Sequence, residues 1–313
     1  MSTSDAVLLF DAGAGQAQGG RQFQEDRCTL VLPDQFPSKT EDKLAFFAVY
    51  DGHGSQLVAE HASRNLHFLL AKRPEFDLGD YEGAIKGALA DEDGVLLDRF
   101  KNEATEPAVS GSTVALCFIN LTKGDLVVAN LGDSHVILAE RDPRTERPCH
   151  IRRLTKSHKP DAPSEKSRIE EAGGVINTRS GTARVGALNM SRAIGDLQYK
   201  NPINTIEDEG TSQKTRRASS SSSAPETRGN FLSNEPDMMR LKLSPDRRYL
   251  LVVVSDGISD STDDATLINH IMKLSTRGMM AGDIAQEVAS LTASRRGSDN
   301  RSCLVAFLDG QDS

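Results

Sequence analysis

The chain has 313 residues, 37% of them hydrophobic with 25 glycines besides, the proportions of a protein that buries a core rather than of a disordered one. Its 37 basic residues stand against 45 acidic ones, a net charge of −8 that argues against a nucleic-acid-binding surface. No apolar run is long enough to cross a bilayer and the first ten residues lack a signal peptide's basic start, so a soluble protein of the cytosol or the nucleus is expected. In chain order, Glu25 and Asp26 precede a short strand at 28–32, and a strongly apolar strand follows at 44–50. One helix is expected between 55 and 72, with Val58, Ala62, Leu66, Leu69 and Leu70 on one face, and another between 81 and 100. Three strand-like runs at 114–119, 126–131 and 136–139 have connections too short for a parallel crossover, so they read as an antiparallel meander, which disfavours a Rossmann fold. A helix over 164–172 stops at Gly173-Gly174. After a strand at 249–254, two helices follow Ser261, the last marked by Ile284, Val288 and Leu291, and a strand at 303–308 closes the series. Three of the four cysteines lie in strand-like runs without any C-x-x-C pair, so neither zinc nor a disulfide framework is supported.

Segment 205–230 breaks this order. It holds Glu-Asp-Glu, the basic stretch Lys214 to Arg217 and five serines, Ser219 to Ser223, with Ile206 as its one large aliphatic residue. It is expected to be a disordered surface insertion within a single domain spanning 1–313. A plain spacer is the simpler reading; the alternative is a regulatory loop in which a basophilic kinase modifies Ser219 after Arg216-Arg217.

Acidic residues flank the strands. Asp51 follows the strand 44–50 in Val-Tyr-Asp-Gly-His-Gly, and Asp256 follows 249–254 in Val-Ser-Asp-Gly-Ile. Asp299 comes before the last strand, and Glu25-Asp26 before the first. Taken singly, each is an ordinary turn residue. Brought together, such acids repel unless a cation compensates them, and an all-oxygen set selects magnesium or manganese. Of Glu25 and Asp26, which point to opposite sides of an extended chain, one can bind metal while the other holds its waters. Gly52, lacking a Cβ, can bring its carbonyl close enough to act as a ligand. His53 beside it is either a proton donor to a leaving oxygen or a turn histidine tied to a carbonyl. Arg21 is either a salt-bridge partner or, through its planar fork, a phosphate ligand.

The ordered series Arg21-Gln-Phe-Gln-Glu-Asp26, Phe46-Phe-Ala-Val-Tyr-Asp-Gly-His-Gly54, Ser110-Gly-Ser-Thr113, Val128-Ala-Asn-Leu-Gly-Asp-Ser134, Leu154-Thr-Lys-Ser-His-Lys-Pro-Asp161, Ser191-Arg-Ala-Ile-Gly-Asp196, Val254-Ser-Asp-Gly-Ile258 and Asp299-Asn300 resembles the metal-dependent serine/threonine protein phosphatases of the PP2C (PPM) family. The resemblance covers about residues 10 to 308. It implies an α+β fold, a four-layer α-β-β-α sandwich of two antiparallel sheets flanked by helices. It also implies hydrolysis of phosphoserine and phosphothreonine in proteins by a hydroxide bridging two Mn2+ or Mg2+ ions. Asp51 would bridge the two ions, Asp256 and Asp299 would complete one, and Glu25 with the Gly52 carbonyl the other. Asp26 would order coordinated water, Arg21 would hold the phosphate and His53 would be the general acid. Asp133 and Asp260 match positions that support a third, weaker metal, and a flap is expected at about 159–190. A monomer acting on phosphorylated proteins is expected, with no nucleic-acid or membrane partner. The rival expectation is a non-catalytic binding protein on the same scaffold. The family's usual tryptophan after Asp-Gly is Ser259 here and its Gly-Asp-Ser-Arg arginine is His135, departures that touch groove shape and leave the acids in place.

Overall fold

Leu44–Tyr50 and Val114–Asn120 are apolar or buried at every position, although antiparallel strands usually alternate buried and exposed residues. The reason is that both faces of each sheet are covered. In this computed structural model, described over residues 5–102, 106–142, 144–179, 181–204, 229–291, 293 and 297–311, the main strands are β1 (Val7–Ala17), β2 (Arg27–Val31), β3 (Leu44–Tyr50), β4 (Val114–Asn120), β5 (Asp125–Leu131), β6 (His135–Arg141), β7 (Pro148–Arg153), β8 (Asp237–Lys242), β9 (Arg248–Val254) and β10 (Arg301–Gly310). The main helices are α1 (Leu57–Ala71), α2 (Tyr81–Asn102), α3 (Pro163–Glu171), α4 (Asp264–Ser275) and α5 (Ala281–Ser290). One five-stranded sheet runs β8-β5-β4-β3-β2 and the other β1-β10-β9-β6-β7, antiparallel throughout.

Alternate residues of each strand feed different layers. Phe46, Ala48 and Tyr50 of β3 point outward onto Leu66 and Leu70 of α1 and Ile85 and Leu89 of α2. Ala45, Phe47 and Val49 of the same strand meet Val136, Leu251, Val253 and Leu304 of the other sheet. The far face of that second sheet packs Val252, Val254 and Val305 against Ile268 and Ile271 of α4 and Ile284 and Val288 of α5. These three apolar interfaces make the four layers of the expected α-β-β-α sandwich.

The expected meander is corrected in one respect. β4 and β5 form a hairpin, but β6 belongs to the other sheet and pairs with β9, not with β5. The connection 132–134 therefore crosses between sheets. Gly132, at φ +104°, makes the sharp change of direction, and a Cβ there would lie 2.5 Å from the Thr113 side chain. The crossing carries Asp133 to the seam between the sheets.

Strand register then sets which loops meet. Arg27 pairs with Tyr50, Val114 with Leu131, and Val254 with both His135 and Cys303. The residues just beyond these pairs, Asp26, Asp51, Thr113, Asp133, Asp256 and Asn300, all emerge at one end of the sandwich. Of segment 205–230, residues 205–228, including Ser219, lie outside the described residues. Gly229 and Asn230 are anchored, their backbones bonded to Ala172 and to the Arg168 guanidinium. Among the described residues, no helix is long and apolar enough to cross a membrane.

Candidate metal centre

Three carboxylates, those of Asp51, Asp133 and Asp256, offer oxygens within 4.8 Å of one another at this end of the sandwich. Each is placed by local structure. Asp51 ends β3, where its N–H reaches Thr113 Oγ1 at 3.3 Å and its carbonyl accepts from the Thr113 N–H at 2.9 Å. The Thr113 hydroxyl in turn contacts Ser134 Oγ at 3.0 Å, tying the Asp51 loop of one sheet to the Asp133 loop that leads into the other. Asp256 opens a helical turn, Asp256–Ser259, and Asp260 follows, its N–H donating to the Asp256 carbonyl at 2.8 Å.

Among the described residues this cluster holds Asp51, Asp133 and Asp256 alone; the other expected ligands, Glu25, Asp26, Asp260 and Asp299, are not among its three members. Asn300 holds the loop that bears Arg21 and Glu25: its Oδ1 accepts from the Glu25 N–H at 2.8 Å and its Nδ2 donates to the carbonyls of Gln18 and Phe23. Gly52 lies so close to Glu25 that a Cβ on it would sit 2.5 Å from the Glu25 carbonyl oxygen, which only glycine permits. Asp299 faces Arg21 in an ion pair of 2.6 Å, both partly open to solvent. Arg21 is thus an ion-pair partner in this structure.

The electrostatics are those of negative charge short of counter-charge. Burial, then Asp26, Asp256 and Asp133, push the Asp51 carboxyl well above the usual carboxylate range. Burial, then Asp133 and Asp299, push Asp256 up to about 7. Asp26 rises to about 6, chiefly through burial. Burial also raises Asp260, against the pull of Lys159. The Lys159 ammonium, bonded to Asp133 Oδ2, is the nearest internal counter-ion. Both carboxylate oxygens of Asp26 and Oδ1 of Asp133 are buried without a hydrogen bond of proper geometry, despite the Ser255 and Ser302 hydroxyls beside Asp26. Hard divalent cations fit this set: the donors are all oxygen, clustered, buried and undercompensated.

His53 lies in a short strand, Gly52–His53, paired to Gly111–Ser112, which is paired in turn to Ile194–Gly195. This miniature sheet brings Asp196 to the histidine, with Nε2 2.6 Å from Asp196 Oδ2. Burial, which lowers the pKa of His53, is outweighed by the Asp196 carboxylate, with Asp133 and Glu25 adding to the upward shift. Nδ1 is buried without a partner. The bond passes over Gly111, where a Cβ would come within 1.9 Å of Asp196 Oδ2. Asp196, Gly111, Lys159 and Asn300 all lie in the quoted motifs but received no role from the sequence. Their signal was adjacency within those motifs; only the three-dimensional pairing shows what they hold.

A two-sheet sandwich with clustered acids at one end, an exposed arginine paired to Asp299 and a histidine-aspartate pair fits a metal-dependent phosphoryl-transfer class of protein. The family model of Protein phosphatase 2C matches residues 10–301, and the chain belongs to that family. It is similar to Protein phosphatase 2C homolog 3 of Schizosaccharomyces pombe, 30% identical over 99% of this chain and 67% of the relative. It is also 32% identical to Protein phosphatase 2C homolog 2 of Aspergillus flavus over 83% of this chain, spanning about half, 54%, of that relative's length. Among solved structures, a serine-threonine phosphatase 2C from Toxoplasma gondii shares the fold at a TM-score of 0.74, with 20% identity over 98% of this chain and 100% of that one.

Proposed function

We propose that this chain is a metal-dependent protein serine/threonine phosphatase that hydrolyses phosphoserine and phosphothreonine monoesters. The observation that carries this reading is the convergence of Asp51, Asp133 and Asp256 within 4.8 Å, buried and short of positive charge. Asp51, Asp256, Asp299, Glu25 and the Gly52 carbonyl would hold two Mn2+ or Mg2+ ions, with Asp26 orienting coordinated water and Asp133 with Asp260 available to a third; bound there, the ions lower the pKa of water and draw charge from the phosphate oxygens.

The side chains supply the rest. Arg21 has N–H groups to spare beyond the one it gives Asp299, and its planar fork can bind two oxygens of a phosphate that reaches the rim. His53 is held at Nε2 by Asp196, which leaves Nδ1 as the ring atom able to give a proton to the departing serine or threonine oxygen. Protonation matters because an alkoxide is a poor leaving group. The test is release of phosphate from a phosphothreonine peptide with Mn2+ and with EDTA: turnover dependent on Mn2+ and abolished by EDTA is expected. A protein that merely uses this fold as a binding scaffold would release none under either condition.

A further inference from the structure

We propose that Asp93, in the middle of α2, is a positioning residue for His53, acting through the turn Gly195-Asp196. The inference rests on the phosphatase reading above and names a residue outside its metal and phosphate groups. Asp93 is nearly buried, and its carboxylate is fully engaged. Oδ1 accepts from the Gly195 N–H at 2.7 Å, while Oδ2 accepts from Lys200 Nζ at 2.6 Å and from Asn234 Nδ2 at 2.9 Å. The Lys200 ammonium also donates to the Ala193 carbonyl at 2.8 Å, so one buried ion pair grips both flanks of the Ile194–Gly195 strand.

The turn needs this grip. Gly195 and Asp196 both have positive φ, +73° and +48°, and the second is a region that residues with a Cβ visit at a cost. The Gly195 N–H bonds Asp93, the Asp196 N–H bonds the Ser110 carbonyl at 2.8 Å and the Asp196 carbonyl accepts from the Tyr199 N–H at 2.9 Å; of these, the bond to Asp93 is the one a side chain supplies. In that conformation Asp196 Oδ2 lies 2.6 Å from His53 Nε2. Without the Asp93 acceptor, the Gly195 N–H is a buried donor with no partner, and relaxing the turn carries the Asp196 carboxylate away from the imidazole. His53 then loses the bond that fixes its ring plane, and displacements on the order of 1 Å cost a catalytic group about 10²-fold.

Asp93 and Lys200 are a buried pair, so a single substitution strands a charge. The informative comparison is therefore between two neutral double variants. Asp93→Asn/Lys200→Met keeps an acceptor for Gly195, and Asp93→Ala/Lys200→Met removes it. On a phosphothreonine peptide, whose leaving group needs a proton, the alanine variant is expected to lose about 10-fold or more in kcat with KM little changed. On para-nitrophenyl phosphate, whose leaving group does not, its loss should be about 3-fold or less. The asparagine variant should lie near wild type on both, and His53→Gln sets the size of split that full loss of the proton donor gives. Mn2+ affinity by calorimetry should stay within about twofold for both double variants. The His53 ring signals in 15N-histidine spectra of the same proteins should shift in the alanine variant and not in the asparagine one. That signal reports the contact to Asp196 even if the protein proved to release no phosphate, so failure of the relay and failure of the phosphatase reading are distinct results. Equal losses on both substrates, or identical behaviour of the two double variants, would overturn the proposal. Asp196→Asn leaves Asp93 and its partners in place and must give the same substrate split; an unchanged ratio there overturns the relay even if the alanine variant fails to fold.

Discussion

Asp256 shows most clearly what a single residue contributes to this centre. Its carboxyl is pushed up to about 7 because burial, Asp133 and Asp299 all disfavour its charge. In the metal-free protein at neutral pH it therefore works against folding, and neutralising it relieves repulsion. Asp256→Asn is expected to raise the melting temperature of EDTA-treated protein, by the equivalent of ~1–3 kcal/mol once solvent screening is allowed for. The same substitution removes a proposed ligand and should lower Mn2+-dependent turnover at least ~10²-fold. Paired melts and assays check both signs, and a metal-free variant that melts below wild type contradicts the repulsion argument. The acids were legible as candidates because each stands at the end of an apolar run. The partners that aim them, Thr113, Ser134 and Asn300, were not, because a hydroxyl or amide acquires its meaning only from what register places opposite it.

At the scale of elements, one helix was readable from its apolar face, expected at 55–72 and observed at Leu57–Ala71, and another from its glycine stop, expected at 164–172 and observed at Pro163–Glu171. β1 escaped because Val7–Ala17 is rich in glycine and alanine. Its glycines serve close approach, since a Cβ on Gly13 would stand 2.2 Å from the Gly282 nitrogen of α5. The segment around α3 has a small core of Ile169, Val185, Ala193, Tyr199, Phe231 and Leu232, and one acid is paired within it. Glu165 of α3 is buried and accepts from Arg192 Nε at 3.0 Å, Ser191 Oγ at 2.8 Å and Arg168 Nη2 at 3.1 Å. Burial alone would raise its pKa, but Arg192 and Ser191 outweigh that and hold it at about 2 against an ordinary 4.5. The folded state thus binds fewer protons than the unfolded chain between those values. The stabilisation is complete above the unfolded pKa and is lost as pH falls through the window toward 2. Glu165→Gln should cost ~1.5–3 kcal/mol at neutral pH by removing the charge that Arg168 and Arg192 share, although backbone carbonyls and Asp237 still partner the two guanidinium groups, and should be read as faster amide exchange across α3. Wild-type protection of α3 should fall in the same acidic window, and an α3 indifferent to both changes would show that the ion pairs are not what holds it.

For the whole molecule, the central strands and the main helices were legible one by one, while the outer strands β1, β7 and β8 and the assignment of strands to sheets were not. β5 and β6 are separated by three residues and still part company, because Phe47 and Val49 of one sheet need Val136 and Leu251 of the other as their inner face, a requirement set by residues far apart in sequence. That same division places the candidate ligands on both sides of the seam: Asp51 leaves β3 in one sheet, while Asp256 follows β9 and Asp299 precedes β10 in the other. Cations bound by this set would bridge the two sheets and would find no such site in the unfolded chain. Each should stabilise the fold by mass action, ~2.7 kcal/mol at about 100 times its dissociation constant. The melting temperature should therefore climb with the logarithm of Mn2+ concentration and return to the metal-free value with EDTA. Asp256→Asn, although more stable without metal, should show a much flatter climb, so the two melting curves should cross as Mn2+ is added. Curves that stay parallel across the titration would mean that the metal does not draw the two sheets together through Asp256.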